Sequence, residues 1–200
     1  MFYIKDIFEN EIMVNKSRFI ALAYPLSMEQ DYLSCLEDAK MRYPKATHYT
    51  HAYIYGAQGE HAHLNDDGEP SRTAGMPIYD VMRHHDITNI MVIVVRYFGG
   101  VKLGAGGLVR AYSGAAAALF NHIKRYELRR VYRYIFTFSY ALLGKLDQRF
   151  EEHGTITHRS FSETLTYDCL LFEDRLDFLD EYRHLIKYKR IETVDELVPV

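Results

Sequence analysis

A chain of 200 residues, 48% of them hydrophobic, suits one large domain or two small ones. A net charge of −3 removes any overall basic field, so nucleic-acid contact would have to come from a local patch. No apolar run is long enough to span a membrane, the first residues lack the order of a signal peptide, and Cys35 and Cys169 match no disulfide or zinc framework, so a cytoplasmic protein with reduced thiols is expected.

Residues 11–26 read as two short strands around an Asn15-Lys16-Ser17 turn. Ser27 stands three before Gln30, a capping-box pattern, and predicts a helix to about Tyr43 that packs through Tyr32, Leu33, Leu36, Ala39 and Tyr43 before Pro44 stops it. Residues 47–55 are strand-like, and the polar residues 56–72 read as one long loop. Pro77 suits the first turn of a short helix over 76–85. Residues 90–95 form a buried strand, followed by a glycine loop and an Ala-rich helix to about Arg125.

From residue 131 the pattern restarts. Tyr132, Tyr134, Phe136 and Phe138 share one side of a strand, and Leu142, Leu143, Leu146 and Phe150 mark a helix ended by Gly154. Two strands over 155–161 and 164–172, a helix with Phe178, Leu179, Tyr182, Leu185 and Ile186 on one stripe, and a last strand over 190–194 complete a βαββαβ order, the ferredoxin-like arrangement. The expected division is 1–127 and 128–200, within an α+β fold.

The segment from Arg96 to Arg110 carries the chemistry. Gly99, Gly100, Gly104, Gly106 and Gly107 let the backbone turn sharply and approach a partner. A helix starting near Gly106 would aim its free N–H groups and positive dipole end at the loop, with Arg96, Lys102 and Arg110 adding charge, which is an anion-site pattern. The other reading of the glycines is close helix–strand packing. Neither G-x-x-x-x-G-K-[ST] nor G-x-G-x-x-G fits. Asp66, Asp67 and Glu69 are candidate acid–base or Mg²⁺ carboxylates, against a favoured reading as loop caps and partners of Arg72 or Arg96.

His48, His51, His61 and His63 raise the question of a metal, but no Cys joins them, and neither a metal nor a cofactor is expected. Tyr53, Tyr97, Phe98 and Tyr112 interleave with the basic residues and would stack bases if exposed; for Phe98 a core position is expected. No nucleophile motif is visible around Ser71 or Ser113.

Lys16-Ser17-Arg18-Phe19, Ala46-Thr47-His48, Ala52-Tyr53, Asp66-Asp67-Gly68-Glu69-Pro70-Ser71, Thr73-Ala74-Gly75-Met76-Pro77 and the whole run from Val95 to Tyr112 resemble the Impact/YigZ family, uncharacterised protein family 0029, in its bacterial two-domain type. The resemblance implies a front βαβ domain of the superfamily shared by a ribosomal protein and domain IV of elongation factor G, and a rear ferredoxin-like domain. It also implies a link to translation, since eukaryotic relatives act in translational control. The family pattern continues after Pro70-Ser71 with Gly, where this sequence has Arg72; if that position needs φ > 0, the side chain costs roughly 1 kcal/mol.

The expected function is a non-enzymatic RNA- or ribosome-binding factor, with a protein partner as a further option and no membrane. Its surface would comprise Lys16, Arg18, His48, Arg72, Arg96, Lys102, Arg110 and the five loop glycines, with the acids orienting the bases. The alternative is an enzyme on a phosphorylated small molecule or nucleotide, held by the glycine loop and the acidic loop.

Overall fold

Strands β1 (Phe8–Val14) and β2 (Ser17–Pro25) form a hairpin whose two-residue turn puts both Asn15 and Lys16 at positive φ, matching the twist of the flanking strands. The computed structural model describes residues 1–200, in two compact units: Met1–Glu127 with Pro199–Val200, and Leu128–Val198. It is an α+β protein with two antiparallel sheets.

The first sheet has the order β1-β2-β5-β3-β4, where β3 is His48–Tyr55, β4 His61–Asn65 and β5 Ile90–Tyr97. β2 and β3 both run antiparallel to β5, hence parallel to one another, so the crossover through helix α1 (Tyr32–Arg42) is a βαβ unit with β5 slotted into its centre. β5 is buried on both faces, as its β-branched run requires. Its even-numbered residues join the core beneath helices α2 (Gly75–His84) and α3 (Gly104–Phe120); its odd-numbered ones join the core beneath α1.

Several expectations change here. The polar stretch 56–72 is not one loop: β4 lies inside it, paired with β3. α1 is preceded by a 3₁₀ turn over Glu29–Asp31, and the Asp31 carboxylate, not Gln30, accepts the Ser27 and Met28 N–H groups. On α1, Cys35 is buried and Leu33 is exposed. α3 ends at Phe120, short of Arg125, and starts at Gly104, ahead of Gly106.

The second unit contributes β6 (Tyr126–Phe138), α4 (Leu143–His153), β7 (Gly154–Phe161), β8 (Leu165–Leu171) and β9 (Lys187–Pro199), in the order β7-β8-β6-β9. Tyr134, Phe136 and Phe138 pack on Leu146 and Phe150 of α4. The expected second helix is a 3₁₀ segment, Asp177–Leu185, in which Leu179 and Tyr182 are buried while Leu185 is exposed. The i,i+3 spacing of the two buried residues is the 3₁₀ period. No helix is long and apolar enough to cross a membrane.

Candidate anion and nucleic-acid site

Arg96 is the last fully buried residue of β5, with its side chain on the α2/α3 face. A buried guanidinium needs a counter-charge, and the loop after β4 delivers it: Arg96 Nη1 donates to Glu69 Oε1 at 2.5 Å. The Tyr112 hydroxyl of α3 donates to the same oxygen at 2.7 Å. Burial, and then this carboxylate, push the Tyr112 phenol well above its ordinary range. The Arg96 guanidinium sits between the Phe19 and Phe98 rings, 5.3 and 5.5 Å from their centroids. His48, paired with Arg96 across the sheet, donates from Nδ1 to the Asp67 carbonyl at 2.7 Å, and its Nε2 lies 3.7 Å from Glu69 Oε1.

The acidic loop is built to aim Glu69. Asp66 accepts the N–H groups of Arg72, Ala74 and Gly75, capping the start of α2. The Asp67 carboxylate accepts the Tyr49 N–H at 2.6 Å. The Thr73 hydroxyl donates to the Pro70 carbonyl, closing the turn. Arg72 has φ +62°, so the position does need the left-handed backbone that the family's Gly would supply.

The glycine loop splits into two roles. Gly99 is packing: a Cβ there would overlap the Lys16 carbonyl and the Ser17 nitrogen, and the Gly99 N–H donates to Ser17 Oγ at 3.1 Å. Gly100 and Gly104 have positive φ and open space where a Cβ would stand. Leu103, at the start of α3, offers no side-chain cap, so the first-turn N–H groups of Gly104, Ala105 and Gly106 have no side-chain acceptor. These parts enclose a cleft of about 310 Å³ lined by Thr47, His48, Glu69, Pro70, Arg96 and Phe98 on one side and by Lys102, Leu103, Gly104, Ala105 and Leu108 on the other.

Residues 15–120 match the family described as the Impact N-terminal domain, over half of the chain. The chain belongs to the IMPACT family. IMPACT family member YvyE of Bacillus subtilis is 35% identical over 183 residues, covering 90% of this chain and 84% of that protein. IMPACT family member YigZ of Escherichia coli is 32% identical over 143 residues, covering 67% and 70%. A crystal structure of a protein described as hypothetical shares the fold at a TM-score of 0.62 and 24% identity, covering 96% of this chain and 97% of that one.

In this IMPACT-family member, His48, Glu69, Arg96, Lys102 and Gly104 come together at the cleft. The other sequence-selected residues do not line it. Arg18 is on the opposite, α1, face of the sheet, where it makes a two-pronged ion pair with Glu11 and lies over Tyr97. Lys16 is exposed in the hairpin turn. Arg72 borders a second groove, between α2 and α3, with Pro77, His84 and Ser113. Arg110 is exposed on α3, its guanidinium close to Gly106. Asp66 and Asp67 serve backbone N–H groups.

His48 and His51 point to opposite faces of β3, so the four histidines do not converge, and no group of three or more His, Cys, Asp or Glu side chains is placed to hold a metal ion. His51 and His63 do meet, ring centroids 6.0 Å apart, and burial pushes the His51 imidazole below its usual pKa.

One aromatic expectation reverses and one open reading closes. Phe98 is 47% exposed at the cleft mouth rather than in the core, because Gly99 pins the chain against the hairpin turn and leaves the preceding ring outside. Tyr112 is fully buried, and with Leu108 it is a site residue that sequence reasoning missed. The signal was available in the spacing: Leu108, Ala111, Tyr112, Ala115 and Leu119 trace one buried face of α3, so Tyr112 needs a hydrogen-bond acceptor in the core.

Proposed function

We propose that this protein is a non-enzymatic factor that binds RNA or the ribosome, with the cleft at the start of α3 as its working surface and a role in regulating translation. The observation that carries the reading is the uncapped N-terminus of α3, opening beside exposed Lys102 and exposed Phe98. An N-terminal helix dipole and a lysine attract phosphate, and an exposed ring stacks bases. With a net charge of −3 there is no overall basic field to hold nucleic acid, so a local patch such as this one would supply the affinity. The translational link comes from the family's eukaryotic members.

The finer fold labels belong to the same reading. The rear strand order β7-β8-β6-β9 supports a ferredoxin-like domain, and the β5-centred βαβ unit supports the front superfamily shared with elongation factor G domain IV. We take 1–127 and 128–200 as the two domains.

Co-sedimentation with ribosomes and with total RNA tests the proposal. Retention at about 50 mM salt should fall steeply by about 200 mM, and Lys102→Ala should weaken it and flatten the salt dependence. No retention at low salt would sink the reading. A second reading, an enzyme on a phosphorylated small molecule, is favoured by one observation: a cleft of about 310 Å³ is the size of a small-ligand site, with a tautomer-fixed His48 beside Glu69 inside it. Saturable thermal stabilisation by a single phosphometabolite, accompanied by its turnover, would select that reading.

A further inference from the structure

We infer that His51 and His63 form a binding site for a late first-row transition-metal ion, on the α1 face of the front sheet, opposite the cleft. The inference is independent of the nucleic-acid reading above.

The register makes the pair. Tyr53 of β3 stands opposite His63 of β4, and His51 opposite Asn65, so His51 and His63 are diagonal neighbours on one face of the sheet. Their ring centroids are 6.0 Å apart. Two imidazoles that bind one ion through nitrogens about 2.0–2.1 Å from it have centroids at most about 6.4 Å apart, so the pair is within reach of a shared ion. The His63 ring is flanked by Tyr53 and Tyr32, at centroid distances of 5.6 and 6.4 Å, which helps to hold it in place.

His51 carries a second, independent observation. It is 4% exposed. Its Nδ1 lies 3.1 Å from the Tyr49 carbonyl, which can only accept, so Nδ1 carries the proton and Nε2 the lone pair. That Nε2 is buried and has no hydrogen-bond partner. A buried acceptor left unpaired is costly, and a bound cation would satisfy it. An imidazole with one nitrogen tied to a backbone carbonyl and a free lone pair on the other is the form in which histidine ligates a metal. The gap between two nitrogens that share an ion is too narrow for a water molecule, so a ligating nitrogen need not be accessible to water. His63, exposed on the edge strand β4, gives the ion its way in.

The donor set selects the ion. Imidazole nitrogen suits copper, nickel and zinc, whereas Mg²⁺ and Ca²⁺ take oxygen ligands. No third His, Cys, Asp or Glu joins the pair, so water fills the remaining positions and the ion is an exchangeable one. Cu²⁺ should bind more tightly than Zn²⁺.

The test is a Zn²⁺ titration of the ¹⁵N-labelled full chain, read at the imidazole nitrogens by long-range NMR correlation, with Mg²⁺ as the control. Zn²⁺ should move the His51 Nε2 and one nitrogen of His63 together and saturably, while the His51 Nδ1–H is kept. His63→Ala, at an exposed edge position, should weaken binding more than about tenfold, since even an outer partner of a metal ligand is worth about 10–100-fold. His51→Phe, which keeps the buried position filled, should weaken it as much. His61→Ala, on the same strand and also exposed, should leave it unchanged.

The inference is overturned if neither ring responds, if Zn²⁺ moves the His63 ring without the His51 Nε2, or if Mg²⁺ gives the same response. It is overturned equally if His61→Ala abolishes binding, which would place the ion on His61 and His63 alone, or if the His51 proton resides on Nε2.

Discussion

The two units treat polar groups in opposite ways. Ser17, Thr50, His51, Glu69, Thr73, Thr88 and Arg96 are buried, and all lie in the front unit. The rear unit keeps its charges nearer the surface: its most elaborate ion network joins Arg133 to Asp168 and Glu192, whose side chains are 41%, 16% and 47% exposed. Backbone strain divides the same way, since every non-glycine residue at positive φ, from Asn15 to Asn89, is in the front unit. A core that only has to hold a fold together gains nothing from buried charge or left-handed backbone. Both serve where a surface must be aimed. Around the cleft this holds for Glu69 and Arg96, which line it, and for Asp67 and Arg72 in the loop that carries Glu69, whereas Thr88, Asp86 and Asn89 stand at the other end of β5.

The sharpest way to break this contrast is to remove one carboxylate from each unit. Glu69→Ala leaves the Arg96 charge and the Tyr112 hydroxyl buried without their shared acceptor, and should cost the front unit about 3–5 kcal/mol. Asp168→Ala leaves Arg133 paired with Glu192 and open to water, and should barely move the rear transition. Urea denaturation followed separately for the two units reads both. Equal losses would mean that the buried pair is no more critical than the exposed one.

What the sequence made legible follows from the range of the interactions involved. The hairpin, β5, α2, α4 and the middle rear strands each announce themselves by local pattern or turn chemistry and stand close to their expected places, whereas β6 begins five residues ahead of its expected start and β9, expected over 190–194, runs over Lys187–Pro199. Convergence was harder to read. Arg18 and Arg96 are both basic and sit on paired strands, yet they face opposite sides of the sheet, and only the register Arg18↔Tyr97 and Phe19↔Arg96 separates them. β4 was hidden because His61–Asn65 is polar and mostly exposed, an edge strand without an apolar alternation to betray it. Tyr112 was hidden because a tyrosine beside arginines reads equally as a stacking ring or as a core donor.

Glycines sharpen the same comparison at a smaller scale. Gly99→Ala drives a Cβ into the Lys16–Ser17 backbone, which cannot move without shifting the hairpin turn, and should destabilise the front unit by about 1–3 kcal/mol. Gly144 lies in α4 with no atom within 4 Å of where a Cβ would stand. Gly144→Ala should therefore stabilise the rear unit by about 0.5–1 kcal/mol through the entropy of the unfolded chain. Calorimetric midpoints of the two variants should move in opposite directions, and a Gly99→Ala midpoint that does not fall would refute the assignment of Gly99 to close packing.

The smallest expected effect is at Arg72, and its sign is the informative part. Its φ of +62° is a conformation that costs a side-chain-bearing residue about 1–2 kcal/mol, whereas Gly adopts it freely. Against this, a glycine adds about 0.5–1 kcal/mol of unfolded-chain freedom. Arg72→Gly should thus gain about 0.5 kcal/mol in a urea titration of the front unit, with the bond from the Arg72 N–H to the Asp66 carboxylate retained because it uses only the backbone of residue 72. Because Arg72 borders the α2/α3 groove and not the Glu69–Arg96 cleft, the variant should keep wild-type retention of RNA. A stability gain with unchanged RNA retention would show the strain to belong to the loop that aims Glu69. A gain with lost retention would move the working surface to the groove between α2 and α3.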